Sequence, residues 1–209
     1  MEKIVLIHGM GHGPESWDRT ASLMPAGWEI LRPGLSAILG GREASFENLR
    51  EAFEGCCAGI EGRLHLCGLS LGGVLALDYA LAFPDRVRSL VLIGTPHRAP
   101  AAAFALQSLI FRLLPGSAFK GMAFGKRDSL ALGRSLKSLD FTGRLGGLAC
   151  PALVLCGKKD RANLASAEYL ARSLKNAELR LIPGAGHVVN EEAPEALAEI
   201  LTGFYRARG

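Results

Sequence analysis

Six short runs rich in Val, Ile and Leu recur along this chain with few polar residues inside them: Lys3 to His8, Trp28 to Leu31, Arg63 to Cys67, Arg88 to Ile93, Ala152 to Cys156 and Ala177 to Ile182. A strand with one wet face alternates apolar and polar residues. Runs without that alternation belong to strands covered on both faces, as in a parallel sheet. Between them, helical spacing is read over Phe46 to Cys57, Leu71 to Phe83, Leu164 to Leu174 and Pro194 to Tyr205. Pro84 stops the second of these, and Pro194 suits the first turn of the last, where a backbone N–H is not needed. The alternation predicts an α/β fold, a three-layer sandwich whose mostly parallel sheet of about six strands carries helices on both faces.

Size and composition narrow the class further. A chain of 209 residues fits one domain, and 49% hydrophobic against 21% charged residues supplies a core and excludes disorder. The 26 glycines sit beside apolar runs without a fixed period, which excludes collagen and solenoid repeats. The five cysteines form neither a CxxC pair nor a zinc spacing, as expected of reduced thiols. Only four apolar residues follow Met1-Glu2-Lys3 before His8, too few for a signal peptide. The most apolar stretch, Ala99 to Leu114, is interrupted by Gln107, Ser108 and Arg112 and is shorter than the ~20 residues of a membrane span. A cytoplasmic protein without membrane contact, a monomer or weak dimer, is expected. A net charge of +4 is too small to point to nucleic acid.

That charge is unevenly placed. Pro96 to Cys150 holds eight basic residues against Asp128 and Asp140, so the rest of the chain is net acidic. Residues 96–149 also have helical apolar spacing and no convincing strand. They are expected to form a helical cap inserted between core segments 1–95 and 150–209, over the carboxyl ends of the strands where open α/β sheets bind ligands. The alternative is an ordinary pair of helices closing the core. Phe104, Leu109 and Phe111 would give such a cap an apolar face for substrate.

The sharpest chemical signal is Gly68-Leu69-Ser70-Leu71-Gly72-Gly73, which follows one apolar run and opens a helix. A serine at so tight a strand-to-helix turn is forced into an unfavourable backbone conformation. The glycines two residues to either side leave room for it. The hydroxyl is lifted clear of the backbone at a helix amino terminus, where free N–H groups favour negative charge. The competing reading is a glycine-rich turn with a capping serine.

With this turn the chain resembles the α/β-hydrolase family, over nearly its whole length. His8-Gly9-Met10-Gly11, at the end of the first run, is similar to the family's oxyanion loop. The resemblance implies that the N–H groups of Met10 and Leu71 stabilise a tetrahedral oxyanion, with Gly9 lining the substrate site. A serine needs a base to become a nucleophile. His187, in the glycine-rich loop Pro183-Gly184-Ala185-Gly186-His187 after the last run, stands where the family keeps that base. His8 belongs to the oxyanion loop and His65 to a buried strand, while His12 and His97 are loop residues with either a solvated or a substrate-facing role. Trp17 either walls the pocket or packs. Asp160, after Ala152 to Cys156, occupies the family's usual acid position, where a carboxylate fixes the imidazole tautomer. Two features depart from larger relatives: the two amino-terminal strands that come before the oxyanion-loop strand are not expected, and Arg161-Ala162-Asn163 replaces a proline-containing loop after the acid.

The expected protein is thus a serine hydrolase with Ser70, His187 and Asp160 as its triad. It would cleave a small to medium carboxylic ester or thioester, with an anionic substrate favoured if the basic segment steers it. The alternatives are a C–C bond hydrolase, a lyase or an acyltransferase on the same triad, or a non-catalytic ligand-binding relative. No HExxH, carboxylate cluster or nucleotide fingerprint occurs, so no metal or cofactor is expected.

Overall fold

A computed structural model describes residues 1–99 and 111–208 of the chain. Six strands, β1 (Glu2–Ile7), β2 (Trp28–Leu31), β3 (Leu64–Leu69), β4 (Val87–Ile93), β5 (Ala152–Gly157) and β6 (Ala177–Ile182), form one sheet in the order β2-β1-β3-β4-β5-β6. Every neighbouring pair is parallel. The helices are α1 (Asp18–Leu23), α2 (Leu35–Ile38), α3 (Phe46–Ala58), α4 (Leu71–Ala82), α5 (Lys126–Ser135), α6 (Leu164–Ser173), α7 (Val189–Glu192) and α8 (Pro194–Arg206). None of the helices in the described residues is long and apolar enough to cross a membrane.

The lack of alternation in the strands has the predicted cause. Val5, Ile7, Leu64, Leu66, Leu90, Leu92 and Val154 point into a core shared with α3, α4 and α6. Ile4, Leu6, Cys67, Leu69, Val91, Ile93, Leu153 and Leu155 point the other way, against Trp17 and the apolar side of α8. Both faces are therefore dry along the central strands, whereas edge strands β2 and β6 are partly exposed. Burial of Trp17 is complete, so it packs.

The connection from β4 to β5 carries no further strand among the described residues. Phe124, Leu132, Leu136, Phe141, Leu145 and Leu148 from it are buried in the same core as α3 and α4. The described part of this insertion that carries them packs against the sheet's helices. Met122 brings it to the loop after β1, with its methyl group beside Gly11. Phe104 and Leu109 fall outside the described residues. The Phe111 ring meets Phe119 edge-to-face at 5.2 Å, a contact within the insertion.

The sheet order has one functional consequence. From β1 the chain moves outward to β2, then returns to place β3 on the other side of β1. The loops leaving β1 and β3 consequently diverge and open a crevice at their carboxyl ends, the usual ligand position in open parallel sheets.

Candidate active site

Ser70 sits at that crevice. It is the sole non-glycine among the described residues with positive φ (φ 53°, ψ −112°), a conformation that costs about 1–3 kcal/mol. Its N–H donates to the Ile93 carbonyl at 2.8 Å, and its carbonyl accepts from the Val74 N–H at 3.0 Å, so the turn is held from both sides. A Cβ on Gly68 would strike the Gly72–Gly73 backbone, and one on Gly72 would strike the Ile7 carbonyl. These glycines are required because strand β1, strand β3 and helix α4 converge there without space for a methyl group. The N–H of Leu71, in the first turn of α4, has no intrahelical acceptor and remains available to a ligand.

The loop after β1 meets this turn directly. A Cβ on Gly9 would lie 3.6 Å from the Leu69 carbonyl oxygen and 3.7 Å from the Ser70 Cβ, so Gly9 and Ser70 are in van der Waals range of one another. Fully buried His8 fastens the loop: its Nδ1–H donates to the Gly9 carbonyl at 2.8 Å, and Nε2 accepts the Leu35 N–H at 2.9 Å. Acceptance at Nε2 requires the neutral ring, and burial lowers its pKa from the ordinary value. His8 is a positioning group rather than a base.

Asp160 and His187 are brought together across 27 residues. The Nδ1–H of His187 donates to Asp160 Oδ2 at 2.7 Å, leaving Nε2 on the other side of the ring. The carboxylate is 5% exposed and the imidazole 41%, so the Asp160 side chain is shielded while the His187 ring is reachable. Burial alone would raise the Asp160 pKa, but hydrogen bonds from His187 and Asn163, together with the charge of His187, outweigh it and hold the carboxyl below its usual value. The Asn163 Nδ2 donates to both carboxylate oxygens at 3.0 Å. The loop without proline thus gains a second clamp on the acid.

Gly94, at the end of β4, lies beneath the pair. Its φ is +53°, and a Cβ there would stand 3.0 Å from His187 Nδ1 and 3.2 Å from Asp160 Oδ2. Since β4 separates β3 from β5, this missing side chain leaves the space in which the imidazole sits. Gly157 serves similarly, because a Cβ there would strike the Ala185 and Gly186 carbonyls as the loop bearing His187 crosses β5.

The other histidines are occupied elsewhere. His65 is buried, with Nδ1 2.7 Å from Ser89 Oγ. His97 stacks on Tyr169 at 4.2 Å, with Nδ1 3.0 Å from Ser166 Oγ. His12 is half-buried, 3.8 Å from the Glu191 carboxylate. Two cavities lie along α2, and neither is lined by Ser70, Asp160 or His187. One of about 310 Å³ is lined by His8, Gly13, Leu35, Ser36 and Met122. Another of about 620 Å³ is lined by Ser36, Arg42, Arg127 and Arg134, with Glu43 and Asp128 also present.

Comparison with known proteins agrees with the fold. The profile described as "Alpha/beta hydrolase family" matches residues 4–200. The pimeloyl-[acyl-carrier protein] methyl ester esterase of Aromatoleum aromaticum is 29% identical, over 97% of this chain and 98% of that protein. The 2-hydroxy-6-oxononadienedioate/2-hydroxy-6-oxononatrienedioate hydrolase of Paraburkholderia xenovorans is 27% identical, over 97% and 86%. Among solved structures, the enol-lactonase of Burkholderia xenovorans superposes with a TM-score of 0.82 at 20% identity, covering 98% of this chain and 91% of that one.

Proposed function

Since the chain belongs to the alpha/beta hydrolase family, we propose that it is a serine esterase or thioesterase in which Ser70 is the nucleophile, His187 the general base and Asp160 the orienting acid. The observation that carries this reading is the 2.7 Å bond from His187 Nδ1 to a shielded Asp160, made at the same sheet edge where Ser70 is held in a strained turn. In the reaction, Ser70 Oγ attacks the substrate carbonyl carbon as His187 Nε2 takes its proton. The carbonyl oxygen becomes an oxyanion, which the Met10 and Leu71 N–H groups stabilise; removing one such donor typically costs about 3–4 kcal/mol. Collapse breaks the bond to the leaving alcohol or thiol, which receives the proton from His187. Water, activated by the same base, then releases the acid and restores Ser70.

Relatives named as dienedioate hydrolases support a second reading, C–C bond cleavage on the same residues. A fluorophosphonate probe with a panel of acyl esters, thioesters and vinylogous diketo acids tests both. The expected result is one adduct per chain on the peptide bearing Ser70, with ester or thioester turnover blocked in proportion. Adduct on another residue would remove the nucleophile assignment. Turnover confined to the diketo acids would favour the second reading.

The substrate is further proposed to be anionic. Arg42, Arg127 and Arg134 line one cavity, and relatives are named for an acyl-carrier-protein ester and for dioates. Lys126 has a different role from the steering its charge suggests, because its ammonium donates to the Arg112 and Leu114 carbonyls at 2.8 and 2.6 Å. Raising salt from 0.1 to 1 M shortens the screening length from about 10 to about 3 Å. The kcat/KM of an anionic ester is therefore expected to fall several-fold more than that of a neutral ester of equal length. Arg127→Gln with Arg134→Gln should flatten the difference. Equal salt dependence of the two esters in the parent would refute steering.

A further inference from the structure

We infer that Glu192 is a positioning residue for His187, its carboxylate strapping down the turn that carries the base. The inference rests on the reading of His187 given above. That turn has little stiffness of its own: Gly184 is at φ +80°, and Gly186 immediately precedes the histidine. Its first half is tied to the acid's loop, where Lys158 and Lys159 donate their N–H groups to the Ile182 and Ala185 carbonyls at 3.0 and 2.9 Å. Its second half is held by Glu192. Oε2 accepts the Gly186 N–H at 2.7 Å and Oε1 accepts the Val188 N–H at 3.0 Å. These are the two residues flanking His187, so one carboxylate brackets it.

The strap is itself anchored. Glu192 ends the short helix α7, whose Asn190 is fully buried. The Asn190 Nδ2 donates to the Ser16 carbonyl at 3.0 Å, and the Asn190 backbone carbonyl accepts from Thr20 Oγ1 at 3.2 Å. Ser16 Oγ in turn donates to the Gly13 carbonyl at 2.7 Å, just beyond the oxyanion loop. Base turn and oxyanion side are thereby referred to a common support. Glu192 is solvent-exposed and contributes nothing to the core. Its charge-assisted bonds are spent on the orientation of one turn.

The experiment compares the parent with Glu192→Ala and Glu192→Gln in full-length protein, reading ester kinetics, thermal midpoint and the imidazole Nδ1–H proton resonance of His187. Misplacing a catalytic group by about 1 Å costs up to ~100-fold. Glu192→Ala is expected to lower kcat about 10- to 100-fold, with KM within about threefold, and to broaden the Nδ1–H resonance. Glu192→Gln keeps one acceptor and should fall between alanine and parent in both readouts. If the alanine variant does not fold, the glutamine variant carries the same comparison. An Nδ1–H resonance unchanged in the variants, with kcat at the parent value or falling only as far as the thermal midpoint does, would overturn the inference. The resonance reports the His187–Asp160 bond whether or not Ser70 is the nucleophile. Failure of the serine reading, seen as undiminished hydrolysis by Ser70→Ala, is thus separable from failure of the strap.

Discussion

Ester turnover by Ser70→Ala is expected to fall by roughly four to six orders of magnitude, with the fold intact. Losses of that size follow removal of a nucleophile whose partners cannot act without it. Ser70 is half-buried, so removal of its hydroxyl opens no cavity in the core. Alanine inherits the positive φ and its strain. Ser70→Gly should also be inactive yet more stable, by about 1 kcal/mol, because glycine occupies this region without penalty. Activity assays with urea melts on both variants check the pair. Turnover by either within tenfold of the parent would exclude Ser70 as nucleophile, and a glycine variant no more stable than alanine would exclude strain at the turn.

Asp160→Asn is expected to lower kcat about 10³- to 10⁴-fold with little change in KM. The amide would offer hydrogens to the imidazole where the carboxylate accepted one, turning His187 to the wrong tautomer. It would also oppose the Asn163 amide, which donates to both oxygens of the acid. The two changes together should reduce stability at neutral pH by about 1–3 kcal/mol, the cost of leaving buried donors unpaired. Because the Asp160 pKa is held below the ordinary 3.8, the stability it adds is present in full above that value and is lost as pH falls through the folded-state pKa. Urea midpoints of parent and variant should therefore approach one another below about pH 4. A constant gap down to pH 2 would contradict the lowered pKa, and parental kcat in the variant would point to another acid.

The frame of this molecule was legible in its sequence because it depends on local pattern. Apolar runs, most of them nearly continuous, placed all six strands to within about two residues at each end. Pro194 began the last helix as its chemistry requires. The turn at Ser70 was readable because its glycines are neighbours in sequence as well as in space. Gly94 was not readable in the same way: its need for a bare Cα arises from His187 and Asp160, which reach it only after β4 and β5 are paired. Asn163 carried a partial signal, as an amide just ahead of a helix, but its N–H₂ turns to the acid rather than to the helix end. Glu192 and Asn190 resembled ordinary polar residues near a helix start. The short helix α1 was missed because Asp18 to Leu23 is too brief for a periodic apolar stripe.

The long passage from β4 to β5 also bears on how such a molecule can diversify. Residues 94–151 bridge those strands, whereas residues 70–86 suffice between β3 and β4. Closing a connection roughly three times longer adds only about 1 kcal/mol of chain entropy, since that cost grows with the logarithm of length. Both ends leave from strands inside the sheet, β5 buried throughout and β4 buried at all but Arg88, so the register of the sheet does not depend on what lies between them. Lengthening, trimming or exchange of this passage should therefore be thermodynamically cheap for the parts that hold Ser70, Asp160 and His187. Selection can rework what the protein accepts while the machinery that cleaves it stays still.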